Sequence, residues 1–183
     1  MKLHPTPLPG LWQISTEPRG DARGRLTRLH CERELAAIRP QLHFVQTNLS
    51  YTAQRGTVRG LHFQRAPALE AKLIRCLRGR VFDVAVDLRA GSASFGRWFG
   101  LELAADNEQQ VFIPEGFAHG FQALTNDVEL LYQHTAAYAP RHEGGLRPDD
   151  PALAIDWPLP IGQLSDRDRS HPALDAAFAP LQA

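Results

Sequence analysis

Residues 56–64 read GTVRGLHFQ, a stretch with the spacing of a strand, in which Val58, Leu61 and Phe63 can pack, that also carries Arg59, His62 and Gln64. An imidazole titrates near neutral pH, so His62 could ligate a metal, exchange a proton with a substrate, or only satisfy a buried hydrogen bond. A second histidine, His119, stands in PEGFAHGF (114–121). Two histidines do not fill a mononuclear metal site, which takes three or four protein ligands. Strand alternation brings further polar groups to shared faces. In KLIRCL (72–77) Lys72 points with Ile74 and Cys76, and in VELLYQHT (128–135) Tyr132 and His134 point with Val128 and Leu130. In HFVQTNLSY (43–51) Phe44, Gln46, Asn48 and Ser50 share one face. Polar groups on the inner walls of a β-barrel imply a ligand cavity. Arg59 and His62 have opposite parity, so both reach one cavity only if Gly60 allows a bulge or bend.

The frame for these side chains is a series of short strand-like runs. LWQIS (11–15), RLTRLH (25–30), VFDVAVDLR (81–89), RWFGLEL (97–103), QVFI (110–113) and HGFQAL (119–124) join those above, separated by turn-forming PRGDARG, QRG, AGSAS, ADNE, PEG and TND. Only ERELAAI (32–38) and PALDAAF (172–178) read as helical. This spacing predicts an all-β sandwich or barrel of the jelly-roll kind with a few short helices. From about residue 139 the chain turns rich in proline and aspartate, and Ile155 and Trp157 there predict an ordered wrap over the barrel. With 183 residues and 43% hydrophobic content, the chain suits a single domain, 1–183. Lys+Arg and Asp+Glu balance at 20 each, so no overall field draws in nucleic acid or an anionic membrane. Arg75, Arg78 and Arg80 read as solvated surface charges. No run is long enough to span a membrane and the first residues lack an apolar targeting core, so a cytoplasmic protein is expected. Cys31 and Cys76, without CxxC spacing, predict two buried free thiols.

The P-x-G-x-x-H spacing from Pro114 to His119 is the second motif of the cupin barrels. Together with QTN-S (46–50), GTVRGLHFQ, KLIRCLRGRVFDVAVDLR, SFGRW, LLYQHTAAYAP and LSDRD, it makes the chain resemble the dTDP-4-dehydrorhamnose 3,5-epimerase family, of the metal-free cupin type, from DARG to LSDRD. The resemblance implies an isomerase without metal or other cofactor. Its substrate would be a nucleotide-linked 4-keto-6-deoxy sugar, epimerised at C3, C5 or both through an enolate. It implies His62 as base, Asp168 as the carboxylate orienting it, Tyr132 as acid on the far face and Lys72 as the cation near the enolate oxygen. Arg23, Gln46, Asn48, Arg59, His119, Glu143 and Arg167 fall at positions that hold pyrophosphate, sugar and base, and Tyr138 where a ring stacks on thymine. It also implies a homodimer in which an N-terminal segment crosses to the neighbour. The family's D-x-R-G-x-F-x-E is here DARGRLTR, so Leu26 and Arg28 replace a phenylalanine and a nucleotide-contacting glutamate. W-N-D-P is here RPDDP (147–151), and a family lysine is Arg167. The nucleotide could therefore be CDP or another carrier. A metal-dependent cupin enzyme and a non-catalytic sugar-nucleotide binding module are the competing readings.

Overall fold

A computed structural model describes residues 1–183. The strands are Lys2–Pro5 (β1), Trp12–Ser15 (β2), Arg19–Asp21 (β3), Gly24–Leu26 (β4), Gln46–Thr52 (β5), Val58–Gln64 (β6) and Lys72–Arg78 (β7). They continue as Arg80–Asp87 (β8), Trp98–Ala104 (β9), Gln109–Ile113 (β10), Phe117–Ala123 (β11), Val128–His134 (β12) and Glu143–Gly145 (β13). Helices are confined to Glu32–Leu35 (α1) and Asp166–Ser170 (α2). A six-stranded sheet in the order β1-β2-β10-β7-β12-β5 faces a five-stranded sheet in the order β13-β6-β11-β8-β9, with every pairing antiparallel, while β3 and β4 pair only with each other. This is the jelly-roll sandwich that the run of short strands predicts.

Alternation sorts the side chains into three packed layers. Ile74 and Cys76 of β7, Leu130 of β12, Val81 and Ala85 of β8 and Phe121 of β11 meet between the sheets. Val84 and Val86, of opposite parity, point to the outer face of the five-stranded sheet and pack with Leu61, Phe63, Leu146 and Leu153, against which Ile155 and Trp157 lean. The proline-rich segment is thus the expected wrap, and Gln122 fastens it by donating to Leu159 O and accepting from Leu159 N. The outer face of the six-stranded sheet is covered by Leu35 of α1 and by Leu42, which pack with Leu73, Ile14 and Phe112. Each such side chain removed from water contributes about 1.5–3 kcal/mol.

Several local expectations are corrected. PALDAAF is not helical, whereas the preceding DRDRS is, because Ser165 caps it by accepting from Asp168 N at 3.0 Å. Of RLTRLH only Arg25 and Leu26 are strand, within β4, since β4 has no partner but β3. Cys31 is half-buried, unlike Cys76. Arg75 is buried, its guanidinium 3.1 Å from Glu108 Oε2 and bonded to Gln109 O, so it is a core ion pair and not a solvated charge.

Candidate active site

One end of the sandwich opens into a cavity of about 790 Å³ between the two sheets. β6 supplies Arg59 and His62 to it, although their parity is opposite. Gly60 makes this possible: its φ is +118°, and the β6–β11 register shifts between His119 and Phe121. A Cβ on Gly60 would lie 2.6 Å from Gly120 Cα and 2.7 Å from His119 O, so only glycine fits this bend. Gln64 follows, but it braces a loop: its amide donates to Ala68 O and Ala137 O, and its oxygen accepts from Ala139 N.

His62 Nε2 lies 2.7 Å from Asp168 Oδ1, and Gly60 N donates to Asp168 Oδ2 at 3.2 Å. Burial raises the Asp168 carboxyl, but the His62 hydrogen bond and charge, then Gly60 and Ser165, outweigh it and hold it below its ordinary value. Facing an ionised carboxylate, Nε2 carries the imidazole proton, which leaves Nδ1 as the basic nitrogen.

The opposite sheet supplies Tyr132, Lys72, Asn48 and His134. Burial, reinforced by the Asp83 charge, pushes the Tyr132 hydroxyl well above its ordinary value, so it stays protonated at neutral pH. Lys72 is not a free cation: its Nζ is 3.1 Å from Glu70 Oε1, while Glu70 Oε2 is 2.8 Å from His134 Nδ1. Burial raises the Glu70 carboxyl, and His134 and Lys72 bring it below its ordinary value. His119 is buried with its Nε2 2.9 Å from Asp83 Oδ2. That nitrogen is bonded to a carboxylate within the wall.

At the mouth, Glu143 accepts from the Tyr138 hydroxyl at 2.6 Å and pairs with Arg167. Arg59 is held by Thr52 Oγ1 and Tyr51 O, both at 3.0 Å. Two expected substrate residues do not line the cavity. Gln46 lies beside it, its side-chain oxygen accepting from Tyr138 N at 3.0 Å, so it fixes the loop that presents Tyr138. Arg23 sits on the exposed β3–β4 hairpin, paired with Asp21 at 2.6 Å and outside the lining of this cavity. Leu26 on the same hairpin is 77% exposed, and Arg28 pairs with Glu34. The residues that sequence reasoning missed are Asp83, Glu70 and His171. Only Asp83 left a signal, as an acid inside the apolar run VFDVAVD.

A carboxylate-held imidazole on one sheet faces a protonated phenol on the other across a polar cavity, within a cupin-type sandwich. Residues 5–176 match the family described as dTDP-4-dehydrorhamnose 3,5-epimerase, and the chain belongs to that family. It is 48% identical to the dTDP-4-dehydrorhamnose 3,5-epimerase of Pseudomonas aeruginosa, over 87% of this chain and 90% of the relative. It is 42% identical to the dTDP-4-dehydrorhamnose 3-epimerase of Streptomyces niveus, over 100% of this chain and 90% of that one. The epimerase of Legionella pneumophila, solved in complex with dTDP-4-keto-L-rhamnose, superposes with a TM-score of 0.92 at 37% identity, covering 100% of this chain and 98% of that one. No helix is long and apolar enough to cross a membrane.

Proposed function

We propose that the protein inverts C5 and C3 of dTDP-4-keto-6-deoxy-D-glucose, giving dTDP-4-dehydro-L-rhamnose. The observation that carries this is the placement of His62 and Tyr132 on opposite sheets, with the cavity between them. Both carbons are alpha to the ketone. His62 Nδ1 removes the proton on its face, the charge moves to the ketone oxygen as an enolate, and Tyr132 returns a proton to the other face. Asp168 keeps the imidazole in the tautomer that exposes Nδ1 and stabilises the imidazolium once formed. Lys72, although paired with Glu70, retains donors for the enolate oxygen, and that charge stabilisation is the larger share of the rate. Arg59 and Arg167 suit the pyrophosphate because a guanidinium donates in pairs to phosphate oxygens, and the exposed Tyr138 ring suits stacking on the base.

The Streptomyces niveus relative, named for C3 alone, supports a second reading in which only that carbon is inverted. Incubation of the substrate with the enzyme in D₂O, followed by NMR, tests both: deuterium at C3 and C5 is expected, deuterium at C3 only selects the second reading, and deuterium at neither removes the function.

The position of Arg23 supports a homodimer in which the β3–β4 hairpin reaches the neighbour's cavity. Sedimentation should give twice the chain mass, and Arg23→Ala should raise KM with little change in kcat.

A further inference from the structure

His171 takes no part in these proton transfers, yet its ring is set against the dyad. It directly follows α2, and its ring lies edge-on to His62, with centroids 5.7 Å apart and planes at 75°. Its Nε2 is 3.9 Å from Asp168 Oδ1, is shielded from solvent and has no hydrogen-bond partner. Gly145, which pairs with His62 across β13 and β6, leaves the seat for this ring: a Cβ there would lie 2.4 Å from both Cδ2 and Nε2 of His171. One ligating atom from each of His62, Asp168 and His171 falls within 4.8 Å of the others.

We propose that His62 Nε2, Asp168 Oδ1 and His171 Nε2 form a binding site for zinc(II), and that zinc bound there inhibits the enzyme. Two neutral imidazoles and one carboxylate are a donor set that zinc accepts, with water in the fourth position. Bonds of about 2.0–2.2 Å to a tetrahedral ion place ligand atoms roughly 3.3 Å apart. The 2.7 Å His62–Asp168 separation must open by about half an ångström, and the 3.9 Å His171–Asp168 separation must close by about as much. Asp168 Oδ2 is already bonded to Gly60 N–H, which orients the carboxylate as outer hydrogen bonds do at metal centres. The His62 side chain is 33% exposed, which gives the ion and its water a path from the cavity.

The inhibition follows from the proton count. In the metal-free protein the His62 proton is on Nε2, and Nδ1 is free to accept one from the sugar. Zinc displaces the Nε2 proton, and a neutral imidazole bound through Nε2 carries its one N–H on Nδ1. The base is then already protonated on the side it uses. This half of the inference rests on the proposed role of His62, whereas the binding half does not.

Zinc is titrated by calorimetry into protein stripped with a chelator and, separately, into the epimerisation assay, with each protein scored against its own metal-free rate. The expected result is one equivalent bound, affinity at least about tenfold weaker in His171→Gln, and inhibition relieved in parallel. Cobalt(II) should give visible d–d bands that His171→Gln loses. Absence of binding to the wild-type protein, or equal affinity in a His171→Gln variant with unchanged circular dichroism, overturns the site. Binding that depends on His171 but leaves turnover intact overturns the inhibition, while His62 as the base is decided separately by deuterium exchange in His62→Ala.

Discussion

The His134 imidazole lies nearly parallel to the Tyr132 ring, with centroids 6.0 Å apart and planes 14° apart, while His119 meets the same phenol edge-on at 5.9 Å. Each imidazole is itself held by a carboxylate, His134 by Glu70 and His119 by Asp83. The proposed acid is therefore fixed on two sides by groups that cannot turn without breaking a hydrogen bond to a carboxylate. Glu70 also holds Lys72, so one carboxylate positions both the acid's neighbour and the cation.

Tyr132→Phe keeps this ring packing and removes only the hydroxyl. His62 can still take a proton and exchange it with solvent, so the variant should wash deuterium into the sugar with retained configuration. Net inversion should fall by about 10² to 10⁴-fold, as for loss of one acid catalyst. The check is NMR of exchange and of configuration on the same sample; equal loss of both would show that the two steps are not divided between these residues.

His62→Ala should abolish exchange at both carbons. Asp168→Asn should cost a smaller but still large factor, because the amide favours the tautomer with the proton on Nδ1. Initial rates of deuterium incorporation decide it, and wild-type rates in the alanine variant would remove His62 from the mechanism.

Gly60→Ala should be destabilising by about 2–5 kcal/mol, combining the contacts that a Cβ makes with Gly120 and His119 and a backbone angle that L-residues avoid. It should also separate Arg59 from His62. Urea unfolding together with KM reports both, and an unchanged midpoint would mean that the bend does not need glycine.

Asp87 is fully buried and accepts from Arg89, Ser92 and Ser94. Burial raises its carboxyl, but these partners bring it from 3.8 to about 2. A depressed carboxyl contributes stability that is present above its unfolded value and lost as pH falls through its folded value. About 2–3 kcal/mol should therefore disappear between roughly pH 4 and pH 2. Asp87→Asn should lose a similar amount at neutral pH and show a flatter acid limb in denaturant titrations followed by circular dichroism.

Most of this architecture was legible because alternation is a strong signal. The inward parity of Lys72, Tyr132 and Asn48 follows from the sequence, and so does the need for a bend at Gly60, because Arg59 and His62 conflict without one. What was hidden is pairing across elements. Glu70 precedes β7 and gains meaning only opposite His134, 64 residues away in sequence. His171 stands in a loop with no periodicity, and its place depends on the bare backbone of Gly145. The five residues of α2 are too few for a helical pattern, so Ser165 as its cap could be seen only in three dimensions.

The His62–Asp168 contact spans 106 residues of chain, the carboxylate arriving on the far side of the segment that wraps the five-stranded sheet. During synthesis the histidine is made, and its strand can pair, long before its partner exists. Closing so distant a loop is among the slower events of folding. The proposed base and its orienting carboxylate are thus brought together only by the docking of the wrap: a sandwich with its wrap undocked has the histidine and tyrosine walls, but its imidazole lacks the carboxylate that fixes its tautomer.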